Sequence, residues 1–166
     1  MDDAPNLVEV RIGNLILDPN TNTPIVVLKG VESEIVLPIW VGAFEANAIA
    51  LEIEKIVPQR PMTHDLLRNV ILQCQLTATS VVITDLLENT FYAQIFLTDE
   101  EGQPVALDAR PSDAIAIALR LDCPIFVDQK VIDLSAASAA SAASAASPAP
   151  AEDLAPAAED WPEVID

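Results

Sequence analysis

Histidine, glycine and cysteine are scarce in this chain of 166 residues, which contains 1, 4 and 2 of them, respectively. Four glycines form neither a glycine-rich phosphate loop nor a Gly-x-Ser-x-Gly nucleophile turn. Since His64 is the single histidine, a site built from two histidines of this chain is excluded. Cys74 and Cys123 lack the spacing of a zinc site, and we interpret both as reduced thiols of a cytoplasmic protein.

Long apolar runs are missing as well. No run approaches the roughly 18 residues that a membrane-spanning helix needs, so we expect no contact with a membrane. The N-terminal residues 1–5 are acidic and lack the apolar segment of a secretory signal. An apolar fraction of 51% nevertheless excludes a wholly disordered chain, because it is enough to build a hydrophobic core.

Basic residues are few: 8 Lys and Arg stand against 26 Asp and Glu, a net charge of −18. Residues 1–132 hold 19 of the acidic residues and all of the basic ones, so their net charge is −11. The acidity therefore belongs to the predicted folded part as well as to the C-terminal segment. It disfavours a protein that passively coats nucleic acid, because unscreened carboxylates repel phosphates.

The C-terminal segment has a composition of its own. Residues 135–147 repeat one Ser and two Ala, and a stretch rich in Pro, Ala and acidic residues follows. Because the Ser/Ala repeat has no large apolar side chain to dock it, we expect residues 135–160 to be a flexible or transiently helical linker. They belong to a tail of residues 135–166, linker or disordered, that follows a domain of residues 7–134. Trp161, Val164 and Ile165 offer a short motif for a protein partner, and a purely solubilising tail is the alternative.

Apolar periodicity predicts three strands followed by a helix, and then this pattern again. Residues 45–51 and 113–119 share an acidic start and an Ala/Ile-rich continuation, 68 positions apart. A helix beginning at Thr63 lies between the two units, and a final strand covers residues 124–127. We therefore predict an α+β fold with internal duplication of a β-β-β-α-type unit.

Residues 60–65 place His64 in the first turn of a predicted helix, next to Asp65. Any acid–base chemistry by an imidazole must fall on His64. The alternative is a structural interpretation. In it Thr63 caps the helix, Asp65 complements the helix dipole, and His64 is a surface or hydrogen-bonded residue.

Residues 108–113 lie at a predicted strand-to-helix junction, where free backbone N–H groups favour anions. Arg110 there is suited to hold a phosphate in a bidentate manner, and Asp108 and Asp113 are suited to share a divalent cation. The alternative is again structural: Ser112 or Asp113 caps the helix, and Arg110 forms an ion pair with a carboxylate.

Residues 84–92 form a third polar segment, at a predicted hairpin. Asp85 and Glu88 flank the turn, and Tyr92 is an aromatic suited to stack on a base. Acidic residues are common in turns, and aromatic residues in strands more often belong to the core. Glu45, which corresponds to Asp113 in the repeat, adds an acid at the other helix start.

Residues 37–46, 60–67, 85–93 and 108–116 together resemble the bifunctional nuclease family, in the order of that family and over residues 7–133. The resemblance implies an α+β fold of two β-β-β-α repeats and degradation of both DNA and RNA. The positions that match, and that the resemblance makes candidates, are Glu45, Arg60, His64, Asp65, Asp85, Asp108, Arg110 and Asp113.

The sequence thus leads to the hypothesis of a nuclease assisted by Mg²⁺ or Mn²⁺, with no organic cofactor and a nucleic acid as its substrate. Catalysis is assigned to His64, Asp65, Arg110 and Asp113, and substrate binding to Arg60, Arg68 and Tyr92. The metal is assigned to Asp108 and Asp113, with Glu45 and Asp85 as further candidates. Two alternatives stay open: a non-catalytic interaction module that forms homo-oligomers, and an anion- or nucleotide-binding protein.

Overall fold

The computed structural model describes residues 5–145 as one sheet with helices packed on it. The predicted partner motif at Trp161, Val164 and Ile165 lies outside the described residues. The strands are β1 (Leu7–Leu17), β2 (Pro24–Gly30), β3 (Val36–Trp40), β4 (Thr77–Leu87), β5 (Thr90–Thr98), β6 (Pro104–Ala109) and β7 (Ile125–Asp128). The helices are α1 (Ala43–Ile53), α2 (Thr63–Gln73), α3 (Pro111–Leu121) and α4 (Gln129–Ala145).

The seven-stranded sheet has the order β3-β2-β1-β7-β4-β5-β6. Two antiparallel three-stranded units therefore flank β7, which is antiparallel to β1 and parallel to β4. The first unit is followed directly by α1 and the second by α3. The predicted α+β fold with an internally duplicated β-β-β-α unit is confirmed.

The first strand of each unit has irregularities in its hydrogen-bond register. Within β1 the register shifts between Ile12 and Asn14, and within β4 it shifts between Ala78 and Ser80. Ile12 faces Leu28 across the first shift, and Ala78 faces Leu97 across the second. A β-bulge bends and twists its strand, but these bulges do not repeat the duplication, because the position equivalent to Ile12 is Ser80 and β4 has a further shift between Ile83 and Asp85.

The core lies where α1 and α3 pack on each other and on the sheet. Alanines on both helices, including Ala48 and Ala116, are buried and allow the backbones to approach closely. Nearly every residue of α3 is buried, among them the guanidinium of Arg120. The largest fully buried side chains are Leu28, Leu37, Ile49, Ile83, Leu97, Ile115 and Ile117.

Two local details differ from the expectation. The prediction that Thr63 caps α2 was wrong: Met62 is the N-cap, and the Asp65 carboxylate accepts its backbone N–H at 2.9 Å. The predicted Ser112 or Asp113 cap of α3 was also wrong, because Arg110 is the N-cap and Pro111 is the first helical residue. Proline suits that position, since its missing N–H would have no helical partner.

α4 follows β7 without a break, and its first turns, over residues 129–134, were not predicted as a helix. The fully buried side chain of Val131 anchors it to the core, and Asp128 accepts the backbone N–H of Lys130 at its start. The helix continues beyond residue 134 into the Ser/Ala repeat and reaches Ala145. Among residues 5–145, no helix has the length and apolar character needed to cross a membrane.

Candidate active site

The first turns of α1, α2 and α3 meet at one cavity of about 700 Å³, which the end of β6 also lines. Helix N-termini present free N–H groups and the positive end of the helix dipole, so their convergence favours a negatively charged ligand. The charged and imidazole side chains that line the cavity are Glu45, His64, Asp108, Arg110, Asp113 and Arg120.

Arg110 bridges the two duplicated units at this cavity. Its Nε donates to Asp113 Oδ2 at 2.7 Å, and its Nη2 donates to Glu45 Oε1 at 2.6 Å. Glu45 and Asp113 are each the third residue of their helix, so the duplication places two carboxylates around one guanidinium. The counterpart of Arg110 in the first unit is Gly42, where any Cβ would collide with the Glu45 carboxylate.

Asp113 uses its second oxygen to hold His64. The distance from His64 Nε2 to Asp113 Oδ1 is 2.8 Å, and the imidazole is only 14% exposed. Burial alone raises the pKa of Asp113, but hydrogen bonds from Arg110 and His64 outweigh burial and hold this pKa below its usual value. Because an ionised carboxylate only accepts, Nε2 of His64 carries the hydrogen, and Nδ1 of the neutral ring has the lone pair.

Arg120 fixes the helix that carries His64. Its guanidinium is 2% exposed and donates from Nε to Asp65 Oδ1 at 2.8 Å. Nη1 and Nη2 donate to the carbonyls of Ala116 and Ala48, each at 3.0 Å. The second oxygen of Asp65 holds the backbone of Met62, so α1, α2 and α3 are tied together next to the cavity.

Asp65, which the sequence assigned to catalysis, therefore has both oxygens in structural hydrogen bonds. Burial raises the pKa of Asp65, but the hydrogen bonds from Arg120 and from the Met62 N–H outweigh it and leave the pKa lowered. Sequence reasoning missed Arg120. The signal was a lone arginine in the otherwise apolar helix of residues 114–121, since a buried guanidinium needs a carboxylate partner.

Besides Asp65, four more of the predicted residues do not line the cavity. Arg68 donates from Nε to the Arg120 carbonyl at 3.1 Å and so supports the helices. Asp85 pairs with Lys130 at 3.0 Å, and Tyr92 lies opposite Asp85 in the sheet. Arg60 lies in the exposed segment before α2. Substrate binding or metal binding by these residues stays a prediction.

Of the three carboxylates that line the cavity, two, those of Glu45 and Asp113, pair with Arg110. Both oxygens of Asp113 are engaged, and Glu45 is paired with the same guanidinium. Within residues 5–145, no three or more His, Cys, Asp and Glu side chains are grouped so as to hold a metal ion. In this arrangement the residues do not fit Mg²⁺ or Mn²⁺, because a cation between Asp113 and Glu45 would have to displace Arg110.

Comparison with known proteins agrees with the family resemblance of the motifs. Over 124 residues the chain is 40% identical to an uncharacterized protein of Mycobacterium tuberculosis (strain ATCC 25618 / H37Rv), covering 75% of this chain and 73% of that protein. Over 136 residues it is 27% identical to Bifunctional nuclease 1 of Oryza sativa subsp. japonica, covering 79% of this chain and 41% of the rice protein. The bifunctional nuclease domain model matches residues 26–140. The chain therefore belongs to the bifunctional nuclease domain family.

Proposed function

We propose that the protein is a nuclease that hydrolyses phosphodiester bonds of DNA and RNA at the cavity of His64, Arg110 and Asp113. The observation that carries this proposal is the continuous chain of hydrogen bonds from His64 through Asp113 to Arg110 at one cavity wall. It joins a group able to move protons to a group able to bind phosphate. Membership of the family and the name of the rice relatives support the same activity.

His64 serves as the general base. Among residues 5–145, Asp113 is its hydrogen-bond partner and holds Nε2, which leaves Nδ1 to accept a proton from water. The water oxygen attacks phosphorus as the proton moves to Nδ1. The phosphorus–oxygen ester bond then breaks, and the departing oxygen takes a proton from solvent. The Asp113 carboxylate stabilises the imidazolium that forms.

Arg110 binds the non-bridging oxygens of the phosphate. Its side chain is 67% exposed, and Nη1 takes part in neither of its two carboxylate contacts. Glu45 and Asp113 hold the guanidinium plane in place, so the remaining N–H groups are aimed before the substrate arrives. Charge that develops on the phosphate oxygens is stabilised by these preoriented donors.

A divalent ion is a separate prediction, and no step above passes through it. Asp108 also lines the cavity and would be a further carboxylate for such an ion if Arg110 moved aside. An assay with and without EDTA tests it. Full activity in EDTA, with the His64 and Arg110 variants inactive, would show that cleavage needs no divalent ion and would support the proposed roles of His64 and Arg110.

The proposal is tested by cleavage of single- and double-stranded DNA and RNA. We expect His64→Ala and Asp113→Asn to lower the rate about 10²- to 10⁴-fold, the usual contribution of a general base. Arg110→Lys should also be strongly impaired, because an ammonium cannot make the bidentate contact. Asp133→Asn and Arg11→Lys, on exposed residues away from the cavity, are the matched controls.

Thermal unfolding of the same samples separates chemistry from stability. A merely structural Asp113–Arg110 pair would give cleavage that follows the folded fraction of each variant. Cleavage that is unchanged by His64→Ala would come from a contaminating nuclease or from another site, and it would refute the proposal. Nucleotide binding without cleavage would favour the anion-binding alternative.

A further inference from the structure

Four large apolar side chains line the mouth of the same cavity: Phe44, Met62, Leu67 and Leu107, which we call the apolar rim. Phe44 is 90% exposed, and the other three are 38–45% exposed. A single exposed apolar residue needs no explanation, but several around one cavity mark a binding surface. Neither the proton transfer by His64 nor the phosphate contact by Arg110 uses the apolar rim.

Phe44 stands beside the phosphate-binding group. It directly precedes Glu45, whose carboxylate holds Arg110 Nη2 at 2.6 Å. The cavity thus joins an exposed aromatic ring, apolar walls and an exposed guanidinium. Its volume of about 700 Å³ lies within the ~300–1,000 Å³ typical of sites for small molecules. A nucleotide has the matching chemistry, with a planar base joined to an anionic phosphate.

Resting on the proposed function, we infer that Phe44 is the stacking platform of a nucleobase subsite. The base of the nucleotide whose phosphate contacts Arg110 lies on the Phe44 ring, with Leu107 and Met62 as the neighbouring walls. A base can occupy this position only when it has left its own stack, so the subsite selects single-stranded or locally opened substrate. Stacking on an aromatic ring contributes about 10- to 100-fold in affinity per base and tolerates every base.

A second copy of the chain fits this surface less well. Three carboxylates, Glu45, Asp108 and Asp113, line the cavity that the rim surrounds. A symmetric contact through the rim would bring two such acidic cavities together, in chains whose net charge is −18 each. Like charges pressed together across an interface oppose association. The charge of the surface therefore favours the nucleotide over self-association.

Binding of two small probes to the full chain tests the inference. Adenosine 5′-monophosphate and ribose 5-phosphate share the sugar and the phosphate and differ in the base. We expect adenosine 5′-monophosphate to bind the unmodified protein about 10- to 100-fold more tightly, as followed by isothermal titration calorimetry or NMR titration.

Variants of Phe44 separate stacking from apolar contact. Phe44→Ala and Phe44→Leu should remove the preference for adenosine 5′-monophosphate without weakening ribose 5-phosphate, whereas Phe44→Trp should keep it. The side chain is almost fully exposed, so these changes leave the core intact. Val57→Ala, at an 88% exposed position away from the cavity, is the matched control.

The outcomes distinguish this inference from the proposed function. Equal binding of the two probes, with cleavage that depends on His64, would overturn the subsite and leave the nuclease in place. A base preference that Phe44→Ala removes, in a protein without cleavage, would support the subsite while the nuclease proposal fails. A dimer that Phe44→Ala dissociates, with nucleotide binding unchanged, would overturn the subsite in favour of self-association.

Discussion

Asp113 connects the two cavity groups through its two oxygens, Oδ1 toward His64 and Oδ2 toward Arg110. Its pKa in the folded protein lies below its usual value of 3.8, whereas the unfolded chain keeps the usual value. The unfolded state therefore binds more protons in this range. The stability that Asp113 contributes is fully present above about pH 5 and is lost as the pH falls through the folded-state pKa.

We predict that the unfolding free energy drops between about pH 5 and pH 2, and that Asp113→Asn flattens part of this drop. Asp65 also has a lowered pKa and contributes to the pH dependence of the unfolding free energy with the same sign. Asp113→Asn alone should therefore remove only part of this pH dependence. Urea unfolding at a series of pH values measures the effect, with Asp133→Asn as the control. Identical pH profiles for Asp113→Asn and the unmodified protein would contradict it.

Arg120 is the buried cation on which the position of His64 depends. Three donors of one guanidinium hold Asp65, Ala48 and Ala116, on three different helices. An ammonium has no planar fork with which to make these contacts together. We predict that Arg120→Lys lowers the unfolding free energy by about 2–4 kcal/mol, in the range for damage to a buried ion pair.

The single histidine gives this prediction a second measurement. The imidazole NMR signals of the protein all come from His64, so a displaced α2 should shift them in the folded Arg120→Lys protein. Arg11→Lys, at an exposed position in β1, is the matched control and should leave them unchanged. Lowered stability with unchanged His64 signals would mean that Arg120 supports the core without positioning the imidazole.

At the scale of elements, local chemistry made some boundaries predictable. The sequence predicts a helix over residues 111–121, and α3 has these bounds, because Pro111 suits the first helical position and Asp122 adopts a left-handed conformation (φ 53°) just after Leu121. Pro58 predicts that the first helix runs over residues 43–57, but α1 ends at Ile53, four residues earlier, and Lys55 has a positive φ of 56°. The sequence offers no glycine at that turn to mark it.

Contacts between distant elements were the part that the sequence could not supply. β7 is the last of the strands within residues 5–145 but the central strand of the sheet, and it lies parallel to β4. No local pattern encodes such a pairing. The motifs around residues 60–65 and 108–113 identified His64, Arg110 and Asp113, which do meet at the cavity. For the same reason, these motifs could not show that Arg60 does not line it.

The exposed face of a helix was likewise hidden from pattern analysis. Leu66, Leu67 and Val70 of α2 follow helical spacing, yet each is exposed, and Ile71 is the buried residue of this helix. Phe44 in α1 is a similar case. An apolar residue in a helix usually belongs to the hydrophobic core, but the Phe44 ring is exposed to solvent at the mouth of the cavity. Exposure of an apolar side chain becomes visible only when the packing of neighbouring elements is known.

At the scale of the whole molecule, the net charge of −18 opposes the approach of a polyanion. Four of the eight basic residues, Lys55, Arg110, Arg120 and Lys130, are already paired with carboxylates inside the described residues. Proteins that bind nucleic acid through basic surfaces lose affinity as salt rises, because phosphate contacts release counterions. An acidic protein with one local phosphate contact should instead gain affinity for a polyanion as salt rises, because salt screens the repulsion between them.

We predict that KM for a long single-stranded polynucleotide falls as NaCl rises from about 10 mM to about 150 mM, because the screening length shrinks from about 30 Å to about 8 Å. A dinucleotide carries one bridging phosphate, so its KM should change much less and serves as the control substrate. Steady-state cleavage without added divalent ions measures both, which keeps metal screening out of the comparison. A KM for the polynucleotide that rises steadily with NaCl would show that an overall basic contact surface, and not the local Arg110 site, governs binding.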